Sequence, residues 1–248
     1  MSSTKRRWKS LKKIMIKDDS ITSHFKELRN RIIKSFLFFG ISLVVLLPFN
    51  KLLFEFFSTF VSRTIEQNLI AIEVASPFFV PLKLVFFIAF LLTFPYLIFQ
   101  VLSFMSPGLY KHEKKIIFSR TILGSILFYL GVIFCTSVVL PNVFYFFQNI
   151  GPENLAITTD IGKFYNFSLN LMIAFGLTFQ IPLLINAIIS FGLITKNELR
   201  EYRGIFLIFC FFVGMILTPP DIISQIFLAV PMYILFELGL AFTNEKKT

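Results

Sequence analysis

The sequence predicts an all-α membrane protein: a kinked or cupped bundle of six transmembrane helices, with the last two short. Three observations predict it. Hydrophobic residues make up 56% of the 248-residue chain and charged residues 15%, against about a quarter charged in soluble domains. Apolar runs of about 18 residues or more recur, the length a helix needs to cross a bilayer. The basic residues gather between those runs, and mostly on one side of them.

The spans follow in order. The first is expected over residues 32–49, preceded by an amphipathic stretch in which Ile21, Phe25, Leu28 and Ile32 recur at helical spacing. Residues 50–77 form a long segment rich in Phe and Leu, suited to lying on the membrane surface or packing as a cap. The second span covers 79–104 and the third 116–147, with Pro141 near its far end. The fourth covers 164–191. The fifth, 204–217, is joined to the sixth, 222–242, by "TPPD". Fourteen residues reach only about 21 Å, short of the roughly 30 Å hydrocarbon core. The fifth span therefore needs flanking residues or a thinner bilayer. Pro219 and Pro220 force a break before the sixth, because neither has an N–H and each restricts the residue before it. Pro95, Pro141, Pro182 and Pro231 are further kink positions. No internal repeat is visible. The expected organisation is a basic tail (1–21), one six-helix unit (22–242) and a short second tail (243–248).

Orientation follows from the Lys and Arg count. Residues 1–31, the 105–115 and 191–203 loops and the C-terminal tail hold eighteen, whereas the alternate loops hold Lys51, Arg63 and Lys163. Both termini are therefore expected in the cytoplasm. The same distribution explains the net charge of +10 as topology rather than as a nucleic-acid surface. Cys135 and Cys210 both lie in apolar runs and read as small buried hydrophobes. No cleavable signal peptide is expected: no apolar stretch follows the basic N-terminus until Ile32.

Catalysis finds little support. His24 and His112 fall in separate segments, with no metal-binding helix motif and no phosphate-binding GxxxxGK[ST] loop. No metal, cofactor or enzymatic activity is expected. The residues that stand out are two acids inside basic clusters. Glu27 lies in "TSHFKELRNR" and Glu113 in "SPGLYKHEKK", both at the cytoplasmic rim of apolar spans. For a single glutamate the plain account is a surface carboxylate offsetting nearby lysines, worth about 0–1 kcal/mol. If the two segments meet, however, they make a paired acidic site. Such a site favours a ligand with two adjacent guanidiniums, because Arg grips a carboxylate bidentately and Lys does not. The surrounding lysines would repel ordinary basic peptides.

These stretches carry a family resemblance. "SHFKELRNR", "ASPFFVPLKL", "FPYLIFQVLSFMSPGLYKHEKK", "LPNVFYFF", "AFGLTFQIP" and "FVGMILTPPDIISQIFLAVPMYILFELG" together resemble TatC, the polytopic subunit of the twin-arginine protein translocase. The resemblance runs from about residue 22 to 240. It implies a receptor for the twin-arginine signal peptides of folded precursors. It also implies single-span TatA-like and TatB-like partners, self-association in a larger complex, the proton-motive force as driver, and a bacterial inner membrane. By this resemblance Glu27 and Glu113 match the signal-binding glutamates, Arg29 belongs to the same motif, and Phe104, Pro107 and Tyr110 match the loop that shapes the site. The partner-helix surface corresponds to Met215, Ile216, Thr218, Pro219, Pro220 and Asp221, with Gln180 in span four.

Gln180 departs from the family pattern, which often has Glu there. A neutral amide is cheaper in lipid than a charge. An interhelical hydrogen bond and a partner contact are both open roles for it. "TKRRWKSLKK" resembles a twin-arginine signal itself, but no apolar helix follows promptly, so it reads as a solvated basic tail. The rival class is a small-molecule secondary transporter, which favours repeated halves with charges at mid-membrane; the chain has no such repeat. An intramembrane hydrolase would need a nucleophile and base that no motif here supplies.

Overall fold

The computed structural model describes residues 25–64, 69–105, 114–149, 159–190, 194–217 and 222–243. The elements run α1 (25–46), a short 3-10 turn Leu47–Phe49, α2 (Asn50–Thr64), β1 (Leu69–Ile70), α3 (Ser76–Met105) and α4 (Lys114–Phe134). A π-helical turn Cys135–Val139 leads into α5 (Leu140–Asn149), β2 (Thr159–Asp160), α6 (Ile161–Thr178) and α7 (Ile181–Ser190). Then follow α8 (Lys196–Glu201), α9 (Arg203–Leu217) and α10 (Ile222–Phe242). Apart from the two-residue parallel pair β1–β2, the regular structure described is helical.

Among the described residues, five stretches are long and apolar enough to cross a membrane: Phe25–Thr59, Ser76–Phe104, Ile117–Phe147, Ile161–Ser190 and Gln225–Phe242. A shorter apolar helix, Arg203–Ile216, stands where the brief fifth span is expected. The many exposed apolar side chains, such as Phe36, Ile208 and Phe242, are what a lipid-facing surface requires. The chain is a multi-pass membrane protein.

Two prolines explain the irregular places in the third and fourth spans. Pro141 has no N–H and its ring presses on the preceding turn. The helix answers by widening, so that the Leu140 N–H bonds the Cys135 carbonyl across a π turn. Pro182 acts similarly on the fourth span. The turn before it tightens, the Gln180 N–H bonding the Leu177 carbonyl at 3.0 Å, and the span divides into α6 and α7. The stretch Ile161–Ser190 remains one membrane-length span, bent at the position where the sequence places the Pro182 kink.

The core lies where α3, α4 and α6 cross. Phe94 stacks on Phe128 at 3.6 Å between centroids, and Phe128, Tyr165 and Phe175 are fully buried. The α2 segment packs as a cap, its Phe54 and Phe57 rings 5.5 and 6.1 Å from Tyr165. By contrast α1 is peripheral, with no buried residue in its apolar window. At the other edge α9 and α10 pair through Phe206 on Phe236, 4.0 Å apart, and through Arg203 Nη2 to Glu237 at 2.7 Å.

Asp160 ties the cap to the bundle. Its Oδ1 accepts from the Lys163 N–H at 2.9 Å, capping α6, and its Oδ2 accepts from the Ile72 N–H at 3.0 Å, just beyond β1. The Ile72 and Lys163 backbone donors hold its carboxyl below the usual aspartate range. A lowered folded value means the stabilisation is complete above the unfolded pKa, about 3.9, and fades as pH falls through the lowered one. Asp160→Asn is therefore expected to lower the melting temperature at pH 7. The gap between variant and parent should shrink on acidification below about pH 4. Thermal unfolding in detergent at both pH values checks this; an equal gap at both contradicts it.

Candidate functional site

Glu27 is the third described residue of α1. The i, i+4 spacing of Glu27 and Arg31 puts them on one helical face. Arg31 donates to Glu27 Oε1 from both Nε at 2.9 Å and Nη2 at 2.6 Å. Its Nη1 donates to Gln100 Oε1 at 2.9 Å, from the last part of α3. Gln100 is buried, while Glu27 retains 39% side-chain exposure. One guanidinium thus joins a carboxylate on α1 to an amide on α3. The Phe38 and Tyr96 rings, 4.7 Å apart, join the same two helices further along.

Around this contact is an open depression of roughly 490 Å³, lined by Lys26, Glu27, Asn30, Arg31, Lys34 and Gln100. Three of the six carry positive charge and Glu27 alone carries negative charge. An incoming lysine or arginine meets repulsion from Lys26, Arg31 and Lys34 and attraction at that carboxylate. Glu27 Oε1 is held by Arg31, and Oε2 has no hydrogen-bond partner among the described residues. The arrangement can bind a guanidinium; Arg31 already demonstrates it from within the chain.

The other expected signal-binding residues distribute as follows. Arg29 is exposed and does not line the depression. Phe104 is half-buried near the end of α3. Pro107, Tyr110 and Glu113 lie outside the described residues, in the segment that joins α3 to α4. Of the expected partner surface, Met215 and Ile216 are exposed on α9, whereas Thr218, Pro219, Pro220 and Asp221 lie outside the described residues. Gln180 is buried between helices, its Nε2 donating to the Gly124 carbonyl of α4 at 3.0 Å. Of the two roles open to Gln180, this contact is the interhelical hydrogen bond.

Sequence reasoning missed Arg31, Gln100 and Gly124. Arg31 had a legible signal, the Glu-to-Arg i, i+4 spacing. Gln100 is 69 residues from Arg31, and nothing local to either residue announces that contact.

The Sec-independent protein translocase protein family, TatC, matches residues 23–231. A TatC protein of Halothiobacillus neapolitanus is 39% identical over 219 residues, covering 88% of this chain and 60% of that relative's length. A TatC protein of Haemophilus influenzae is 38% identical over 222 residues, covering 89% and 87% of the two chains. The crystal structure of a twin arginine translocase receptor, TatC, superposes with a TM-score of 0.78 at 29% identity, covering 88% of this chain and 96% of that one. The helical order, the short fifth helix and these matches agree: the chain belongs to the TatC family of Sec-independent protein translocase proteins.

Proposed function

We propose that this chain is the signal-peptide receptor and core component of a twin-arginine translocase. It sits in a bacterial inner membrane with both termini cytoplasmic, and residues 22–242 act as one six-helix unit. Folded precursors dock through consecutive arginines in their signal peptides, one guanidinium on Glu27 and one on Glu113. Arg29, Phe104, Pro107 and Tyr110 shape that docking site. Single-span TatA-like and TatB-like proteins lie along the α9–α10 hairpin, at Met215, Ile216 and the 218–221 turn, with Gln180 bracing α4 against α7 behind them. Several copies assemble, and the proton-motive force rather than any catalysis by this chain drives transport.

The observation that carries the reading is the Glu27 carboxylate already holding a guanidinium in an otherwise cationic depression. A guanidinium can place two fixed N–H donors on a carboxylate, whereas a lysine ammonium meets it as a point charge without that fork. A labelled signal peptide with consecutive arginines should therefore bind the purified chain at least about tenfold more tightly than the same peptide with consecutive lysines. Equal affinity for the two, measured by anisotropy in detergent, overturns the proposal.

A further inference from the structure

Lys83 is a charged residue inside an otherwise apolar span, and nothing in the proposed signal-binding role uses it. It lies seven residues into α3, on the surface of the bundle. Gln100 of the Glu27 depression is seventeen residues further along the same helix. At about 1.5 Å per residue this is about 25 Å, against a hydrocarbon core of about 30 Å. Lys83 is thus at the opposite edge of the hydrocarbon from Glu27, within reach of the headgroups for a side chain of its length.

Its Nζ donates to Asn166 Oδ1 on α6 at 2.7 Å. That partner is neutral, and among the described residues no carboxylate pairs with Lys83. Asn170 follows one helical turn along the same face of α6. These three polar residues head a groove of roughly 400 Å³, whose walls also include Phe86, Phe90 and Ile173. A second groove of roughly 430 Å³ shares Asn170 and Ile173 with it, and continues between Leu177, Ile181, Val213 and Met232. From Asn166 along α6 and through the turn to Ile181 is about 22 Å, more than the roughly 15 Å depth of one leaflet. The channel is polar and cationic at one end and mostly apolar along the rest, where Thr178 is the one polar lining residue.

We infer that this groove binds one phospholipid from the leaflet opposite Glu27, its phosphate held by Lys83, Asn166 and Asn170 and one acyl chain lying along α6 to Ile181. The remaining Lys83 protons and the two asparagine Nδ2 groups donate to the non-bridging phosphate oxygens. The lipid supplies an anion that no described residue gives the lysine. A carboxylate on a neighbouring helix is the rival anion, but Lys83 is at headgroup depth rather than at mid-membrane, which favours phosphate.

The test uses the purified full chain in dodecylmaltoside, with bound lipid counted by native mass spectrometry. Dioleoylphosphatidylglycerol and dioleoylglycerol, which lacks the phosphate, are added at equal ratios. One phosphatidylglycerol should be retained per chain, with dioleoylglycerol retained about tenfold less. Lys83→Met should lower phosphatidylglycerol retention about tenfold, the loss of one charge-assisted hydrogen bond. Ala174→Trp, which fills the apolar groove without changing charge, should also reduce it; Lys51→Met on α2 should not. Equal retention by Lys83→Met and the parent, or equal retention of the two lipids, overturns the inference. So does displacement of the lipid by glycerol 3-phosphate at the same concentration, since the chain groove would then contribute nothing. Stoichiometric co-purification of an acid-bearing membrane helix that depends on Lys83 and excludes the lipid would likewise overturn it.

Discussion

Gly131→Ala is expected to be among the most damaging one-methyl changes in the bundle. A Cβ at Gly131 would lie 2.6 Å from the Phe175 carbonyl oxygen, 2.9 Å from Phe179 Cγ and 3.0 Å from the Gly176 Cα. Two of those three atoms are backbone, so a rotamer change cannot relieve the clash. The helices α4 and α6 must separate, and their separation loosens Phe128 and Phe175, both fully buried. Close-packed interiors respond to such insertion with a loss of about 1–3 kcal/mol, and to a larger side chain with more. In a membrane the effect is sharpened, because helix association there rests on close packing of small residues rather than on hydrophobic expulsion. Gly40→Ala is the control: nothing lies within 4 Å of the added methyl, so it should leave stability unchanged or slightly raised. Heating both variants in detergent and following the monodisperse fraction measures the difference. Equal behaviour would mean that α4 and α6 do not meet at these glycines.

Glu27→Gln is expected to reduce affinity for a twin-arginine signal peptide at least about tenfold while leaving thermal stability near that of the parent. The two halves of this expectation come from different magnitudes. A hydrogen bond to a charged group contributes about 1.5–3 kcal/mol, or roughly ten- to a hundredfold in binding. The Glu27–Arg31 pair, at 39% and 25% side-chain exposure, is open to water and is worth about 0–1 kcal/mol to the fold. Gln keeps the shape and one acceptor but removes the charge, so the loss reports on electrostatics rather than packing. A fall in stability matching the fall in affinity would instead assign Glu27 a structural role. Anisotropy titration alongside thermal unfolding separates the two.

Much of the helical plan was legible because membrane spans announce themselves through length and apolarity, and these need no tertiary information. The short α9 was legible for the same reason: an apolar run too brief for the bilayer, followed in the sequence by Pro219-Pro220. The α6–α7 division was half legible. Pro182 marked a kink, but whether a proline bends or breaks a helix depends on where the freed carbonyls find partners. The π turn before Pro141 was not legible, since several local adjustments relieve the same ring clash. At the candidate site, Glu27 was singled out by its charge context, and Arg31 was there to be read beside it. Gln100 was not, because its role depends on how α1 leans on α3. Lys83 was not singled out in the sequence at all; only its contact with Asn166, and the groove below it, give it a chemical neighbourhood. Gln180 shows the converse case. Its polarity drew attention, and its contact with Gly124 turned out to be an internal brace.

The most direct measurement concerns the acid that should complete the site. Glu113→Gln, inserted and stable, should no longer crosslink to a photoreactive twin-arginine signal peptide that crosslinks efficiently to the parent chain. Unchanged crosslinking would show that Glu113 does not share the ligand with Glu27, and the two-carboxylate receptor would have to be abandoned.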